Sequence, residues 1–181
     1  MADLTPHSSL SKFRSAEDGI ASVEFAIVVP LLLILLVGII DFGRLLTDHQ
    51  AINKSVRDAS RFLTRVKVDC TAAGSGAIST YLADPSYATI AQNLALTGKA
   101  STPTVPSDYL LPYWTDPATL TMTVDCVANG GAYAGVFTDL AFIPRVTVTA
   151  NVPFSFLFGT IVFSSANITL SAFHNEVNVG E

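Results

Sequence analysis

The feature that most constrains this chain is an apolar run near its N-terminus that begins directly after a carboxylate. Residues 25–40 contain no charged side chain, and Glu24 immediately precedes them. As a helix these residues would extend only about 24 Å at 1.5 Å per residue, whereas the hydrocarbon of a bilayer is about 30 Å thick. Counting back to Ile20 brings the length to about 31 Å. The run therefore predicts a transmembrane helix over residues 20–41 that includes Glu24.

A carboxylate inside such a segment indicates a function, because an ionised side chain in a bilayer costs at least a few kcal/mol. Two further features favour packing against other helices. Pro30 removes a backbone N–H and favours a kink, while Ser22 and Ala26 form a small-xxx-small pair that allows a second helix to approach closely. The simpler interpretation, a lone anchor with an incidental proline, stays open.

The charges that flank this segment do not orient it in a membrane. Lys12 and Arg14 precede it, but Arg44, Lys54 and Arg57 follow it closely, so positive charge does not mark one side as cytoplasmic. A secretory signal does not explain the run, because its apolar part is longer than an h-region and no small-residue cleavage site follows it. We therefore expect a retained anchor whose orientation must come from other features.

Helical periodicity continues beyond the membrane segment, over residues 42–68. Side chains that can be buried recur at steps of three and four, which predicts one packed stripe. The stripe consists of Phe42, Leu45, His49, Ile52, Val56, Ala59, Leu63 and Val66. A single helix from Ile20 to about Val66 is thus expected. Arg57 and Arg61 lie on the opposite, basic face, where they either are solvated or contact acidic partners or lipid headgroups.

The chain from residue 69 onward changes to mixed local patterns. A glycine-containing loop is expected at residues 74–76. A second, shorter helix is expected over residues 80–96, with Asp84-Pro85 as a start signal and Gly98 as a stop. The segment 102–117 contains four prolines and predicts irregular structure.

Alternation of apolar and polar residues predicts strands in the last third of the chain. The three expected strands are residues 119–124, 145–152 and 167–173. The economical architecture for residues 69–181 is an antiparallel sheet of three or four strands with the long helix across one face. We therefore predict an α+β fold in which a long N-terminal helix packs on a small antiparallel sheet.

Composition and motifs argue against catalysis and nucleic-acid binding. The formal net charge is −5, which gives no electrostatic basis for contact with phosphate backbones. The sequence contains no zinc-protease, CxxC, phosphate-loop, dinucleotide or serine-hydrolase motif. His7, His49 and His174 are isolated from one another, and His49 falls on the packed stripe of the helix. We expect no enzyme activity, no cofactor, no metal site and no small-molecule substrate.

Cys70 and Cys126 are the only cysteines. If this part of the chain lies outside the cytoplasm, they are expected to form one disulfide, whose loop closure is worth roughly 4 kcal/mol; two separate buried thiols are the alternative. A bridge would bring Asp69 and Asp125 together, either as a weak cation site or simply as turn caps. An anchored hydrolase would rest on these two acids alone.

One connecting segment is unusually aromatic. Phe154, Phe156 and Phe158 alternate with smaller residues between the second and third predicted strands. An exposed apolar patch of this kind marks a partner surface. Alternating phenylalanines also fill the core of a hairpin, and both interpretations stay open.

A set of motifs near the N-terminus resembles a known family. Gly19 is followed by Glu24-Phe25, an apolar span, Asp41-Phe42-Gly43-Arg44 and the helical segment Val56-Arg57-Asp58-Ala59-Ser60-Arg61. This combination resembles the TadE-type minor pseudopilins of Tad (Flp, tight adherence) pilus systems, over residues 18–62. The resemblance implies a pilin-like fold and a structural, non-catalytic role.

The resemblance also implies how the N-terminus is processed. Gly19-Ile20 is similar to a prepilin peptidase site, so residues 1–19 would be a cytoplasmic leader that is removed. The chain would then cross the inner membrane once, with residues 69–181 in the periplasm or outside. Glu24 of one subunit would pair with the new α-amine of a neighbour, so that two buried charges offset each other on assembly.

Departures from the major subunit of these pili favour a minor role. Glu24-Phe25 replaces a common Glu-Tyr pair, and the chain is far longer than the major subunit. Ile20 stands where many type IV pilins have Phe, a departure that bears on methylation of the new amine and not on the role. The expected partners are other pilins, the assembly platform, the peptidase and the membrane, in a system for adhesion. The alternative function is a single-pass anchored domain for binding or sensing that is never cleaved.

Overall fold

The chain forms two compact units, one that ends at Phe42 and one that begins at Gly43. They are called here the N-terminal unit and the C-terminal unit. The computed structural model describes residues 16–131, 135–157 and 167–178. Helix α1 (Ala16–Leu63) contributes residues to both units.

The N-terminal unit is helical throughout its described residues. Helix α1 begins four residues before the expected Ile20 and continues through Pro30. Its large apolar side chains face outward on every side rather than into a protein core, which is the pattern of a helix surrounded by lipid or by other helices. By length and composition it can cross a membrane.

In the C-terminal unit, α1 is amphipathic as expected. Ile52, Val56, Ala59 and Leu63 are fully buried, which confirms the centre of the predicted stripe. The stripe does not include Phe42, whose side chain is 59% exposed. Regular helix ends at Leu63 rather than at Val66, because the last amides make shorter-range bonds, such as that from the Val66 N–H to the Leu63 carbonyl at 3.4 Å.

A four-stranded antiparallel sheet packs against this stripe. Its spatial order β1-β2-β3-β4 follows the chain. The strands are β1 (Gly74–Ala77), β2 (Leu120–Ala128), β3 (Phe142–Ser155) and β4 (Asn167–Val177). The predicted α+β class, with the long helix on a small antiparallel sheet, is confirmed. The predicted loop at residues 74–76 is wrong, because these residues pair with β2 from Gly74 opposite Cys126 to Ala77 opposite Thr123.

Strand β3 runs past both prolines at which its pattern predicts an end. Pro144 pairs with β2 beyond the last residue of β4, and Pro153 pairs with β4 beyond the first residue of β2. Each proline therefore lies where β3 has a neighbour on one side only. A proline is tolerated there because its missing N–H would face the unpaired side.

The second helix is divided in two. Helix α2 (Ile78–Tyr81) and helix α3 (Ser86–Thr97) flank Asp84-Pro85, so the single helix expected over residues 80–96 is wrong. The Asp84 carboxylate accepts a hydrogen bond from the Ser86 N–H at 2.9 Å, which starts α3 afresh. Gly98 ends α3 in the left-handed region at φ 71°, as its role as a stop signal predicts.

The core lies between the helices and one face of the sheet. Strands β2 and β3 contribute alternate residues, of which Val124, Val146 and Val148 are fully buried. Trp114 is 1% exposed, and its indole N–H donates to the Thr119 hydroxyl at 2.7 Å. The proline-rich segment that holds it contains only short 3-10 turns, at Pro106–Asp108 and Pro117–Thr119.

Candidate functional site

The residues expected to direct processing and assembly lie at the start of α1. Gly19, Ile20, Glu24 and Phe25 are all exposed on this helix. Ile20 and Glu24 are one helical turn apart and share a face. A new α-amine at Ile20 would therefore lie about 6 Å along the axis from the level of Glu24.

The small residues of α1 lie on a different face. Ser22, Ala26 and Pro30 follow one another at intervals of four residues and are exposed. At 100° per residue the centre of this stripe is about 160° from Glu24 around the helix axis. The helix thus presents a carboxylate on one side and a surface open to close approach on the other.

The basic face of α1 in the C-terminal unit is exposed, and part of it pairs with the sheet. The Arg61 Nε lies 4.0 Å from a Glu176 carboxylate oxygen on β4, and the same oxygen is 2.7 Å from the His174 Nε2. Such exposed pairs contribute at most about 1 kcal/mol. Arg57 is exposed, so it stays a candidate partner contact.

The aromatic segment begins as core. Phe154 is 1% exposed and forms edge-on contacts with Tyr113 and Phe156, at centroid separations of 6.3 and 5.3 Å. The Arg44 guanidinium lies over its ring at 5.7 Å. Phe154 is therefore not a partner contact, which corrects that interpretation. Phe156 is half-buried, and Phe158 lies outside the described residues.

A polar contact supports this aromatic cluster from α1. The Tyr113 hydroxyl donates to the Asp48 carboxylate at 2.7 Å. Burial raises the pKa of Tyr113, and the hydrogen bond and negative charge of Asp48 raise it further. The phenol is therefore a neutral donor at physiological pH.

Residues 19–61 match the family model for TadE-like proteins. The match confirms the predicted resemblance and covers the helix from Gly19 to Arg61, whereas the sheet lies beyond it. No curated protein and no solved structure matches the chain significantly. The TadE-like segment and the exposed apolar helix together fit a membrane protein associated with a Tad pilus.

Beyond the TadE-like segment, the predicted disulfide is confirmed. Cys70 and Cys126 are bonded, with their Cα atoms 5.7 Å apart. Asp125 lies directly opposite Arg145 of β3, and the Asp69 N–H donates to the Tyr81 carbonyl at 2.8 Å. Within residues 16–131, 135–157 and 167–178 no group of three or more His, Cys, Asp or Glu is placed to hold a metal.

Three contacts that position the TadE-like helix escaped prediction. They are Arg44 with Phe154, Asp48 with Tyr113, and the Asn178 amide with the last carbonyls of α1. The partners are up to 115 residues apart, so no local pattern could pair them. Two signals for these contacts were present in the sequence: the alternating phenylalanines that begin at Phe154, and Arg44 just after the apolar run of α1.

Proposed function

We propose that this chain is a minor pseudopilin of a Tad/Flp-type pilus. A prepilin peptidase cuts it between Gly19 and Ile20, and residues 20–41 hold it in the inner membrane. There it helps to initiate or support assembly of a pilus that serves surface attachment. The observation that carries the proposal is the TadE-like match beginning at Gly19, on a helix in which Glu24 immediately precedes an exposed apolar run.

The charge of Glu24 supports an assembly role. In lipid this carboxylate is costly by itself, and cleavage creates a second costly charge, the α-amine of Ile20. Pairing the two between neighbouring subunits offsets both costs. The uncleaved chain has no such amine, so the contact would form only after processing.

The two faces of α1 support contacts with different neighbours. A helix packed on Ser22 and Ala26 would not reach Glu24, because the two surfaces are on opposite sides. Close approach at the small residues contributes van der Waals packing, and the charge pair fixes the axial register. A helix with two separate contact surfaces suits a subunit that joins two different pilins.

The disulfide supports an extracytoplasmic C-terminal unit. Disulfides persist in oxidising compartments such as the bacterial periplasm, and the Cys70–Cys126 bond lies within this unit. With the C-terminal unit in the periplasm, the leader would be on the cytoplasmic side, where a prepilin peptidase acts.

Processing is tested by sequencing the N-terminus of membrane-extracted protein from strains with and without the peptidase. We expect Ile20 as the first residue in the former and the intact leader in the latter. Retention of residues 1–19 in both strains would defeat the proposal in favour of an uncleaved anchored domain.

The role of Glu24 is tested by Glu24→Ala. We expect processing at Gly19 to continue while pili disappear, as counted by electron microscopy of sheared filaments. Glu17→Ala is the matched control, because Glu17 would leave with the leader. Normal piliation of the Glu24 variant would refute the pairing.

A further inference from the structure

One end of the C-terminal unit is tethered to the apolar run by a very short piece of chain. Arg44 is only four residues beyond Ile40, the last residue of that run. These residues are within about 14 Å of each other even if the chain is fully extended, and about 6 Å if it is helical. Whatever contacts Arg44 is therefore close to any bilayer that contains the run.

The contacts of Arg44 identify this end of the sheet. Its guanidinium lies 5.7 Å from the Phe154 ring, and Phe154 is the penultimate residue of β3. Four residues further along α1, Asp48 accepts from Tyr113, whose ring also meets Phe154. The final residues of β3 are thus level with the first turns of α1 in this unit.

The opposite end of β3 lies at the far end of α1. The Asn178 N–H donates to the Pro144 carbonyl, near the start of β3, while the Asn178 side chain donates to the Leu63 carbonyl. Strand β3 therefore runs back toward the tether. Its residues from Phe142 to Ser155 span roughly 45 Å at about 3.3 Å per residue, so its two ends have separate surroundings.

Beyond Phe154 the chain presents apolar side chains at this tethered end. Phe156 is half-buried against the Phe154 ring, and Leu157 is 57% exposed. Leu157 is three residues beyond Phe154, which corresponds to up to about 10 Å of extended chain. A headgroup layer is roughly 5–8 Å thick, so this length of chain is enough to reach across it. Aromatic and cationic side chains are typical neighbours of that layer.

We propose that the end of the C-terminal unit formed by Phe156 and Leu157, with Arg44 over the adjoining Phe154 ring, rests in the phospholipid headgroup layer of the bilayer that α1 crosses. Leu157 and the exposed part of Phe156 lose contact with water there, and the Arg44 guanidinium, which lies over Phe154, is at the level of the lipid phosphates. The contact limits tilting of the sheet relative to the membrane. It depends on the membrane anchor of the proposed function, and not on a role in a pilus.

The test places a fluorescent probe at each end of β3. Leu157→Cys is compared with Leu140→Cys, an exposed leucine near the start of the strand, and with Ile39→Cys inside the apolar run. Each variant contains one free thiol, because Cys70 and Cys126 are bonded to each other. The full chain is labelled with an environment-sensitive dye and reconstituted in phosphatidylcholine–phosphatidylglycerol nanodiscs, with or without lipids that are spin-labelled near the headgroup.

We expect the probe at position 157 to emit at shorter wavelength than that at 140 and to lose much of its fluorescence to spin-labelled lipid. The probe at 140 should keep its fluorescence, and unchanged Trp114 emission would show that each variant is folded. Quenching at 39 with equal, weak quenching at 157 and 140 would overturn the inference and leave the anchor intact. Blue-shifted emission at 157 without lipid quenching would also overturn it, because a protein surface would then cover Leu157. Absence of quenching at all three positions would defeat the anchor itself.

Discussion

The side-chain amide of Asn178 lies 2.8 Å from the carbonyl oxygen of Leu63. The same amide donates to the Val66 carbonyl, also at 2.8 Å. The final carbonyls of a helix lack their usual i+4 partners. Asn178, just beyond the end of β4, donates to the carbonyl of Leu63, the last residue of α1, and to that of Val66 in the turn that follows. One buried side chain thus joins the end of α1 to the last strand of the sheet.

Replacing this side chain should loosen that junction. Asn178→Ala removes a donor from the Val66 carbonyl and one of the two donors to the Leu63 carbonyl, so we expect a loss of about 1–3 kcal/mol in the free energy of unfolding. Urea unfolding in mild detergent, followed by the fluorescence of Trp114, measures it. Asn175→Ala is the control, since Asn175 is exposed on β4, three residues before Asn178. Equal stability of the two variants would contradict the capping role.

Phe154 is expected to be a stability residue rather than a binding residue. Phe154→Ala should cost about 3–5 kcal/mol, the range for removing a buried aromatic ring. The matched control is Phe173→Ala, because the Phe173 side chain is 70% exposed on β4 and should change stability by no more than about 0.5 kcal/mol. If both variants unfold at the same urea concentration, the core position of Phe154 is wrong.

Reduction of the disulfide should destabilise the C-terminal unit substantially. The bond joins residues 56 positions apart, and the chain-entropy model assigns such a loop roughly 4 kcal/mol. The unfolding midpoint should fall in reducing buffer, and the double variant Cys70→Ser/Cys126→Ser should reproduce that fall. Reducing agent should then have no effect on the double variant, which separates loss of the bond from other effects of the reagent.

Stability should also depend on Asp108 at acid pH. Its carboxylate accepts hydrogen bonds from the Thr104 and Val105 N–H groups at 2.9 and 3.1 Å, and these bonds lower its pKa. A carboxyl whose pKa is lower in the folded state stabilises that state above the unfolded value of about 3.9, and this contribution disappears as the pH falls through the lowered value. Asp108→Asn should therefore be less stable than the parent at pH 7, with the difference vanishing in strong acid. A difference that persists unchanged in strong acid would rule out the charge as its cause.

The elements with a clear period were predictable, and those defined by distant partners were not. The stripe containing Ile52 and Val56 gave the long helix because burial every three or four residues leaves a local signature. Strand β1 was missed because glycine and serine carry no alternation, and it exists only by pairing with β2. The limits of β3 were missed because a proline is compatible with a strand wherever its N–H side is unpaired, and that depends on where the neighbouring strands end.

The candidate site divides in the same way. Gly19, Glu24 and Phe25 could be proposed from sequence because they lie within seven residues of one another. The family match covers all three, and their roles in processing and assembly stay predictions. Phe154 could not be assigned to core or surface, because alternating phenylalanines suit both. Its position depends on Tyr113 and Arg44, which are remote in sequence, and only the folded sheet brings them together.

The disulfide also determines how the molecule carries mechanical load. It joins the chain just past α1 to β2, so tension applied through α1 reaches the sheet by a covalent path. The chain between Cys70 and Cys126 would add roughly 200 Å of length if it were fully extended. While the bond is intact, this segment cannot be extended by force applied at its two ends. Under tension, the oxidised chain therefore extends much less than the reduced chain.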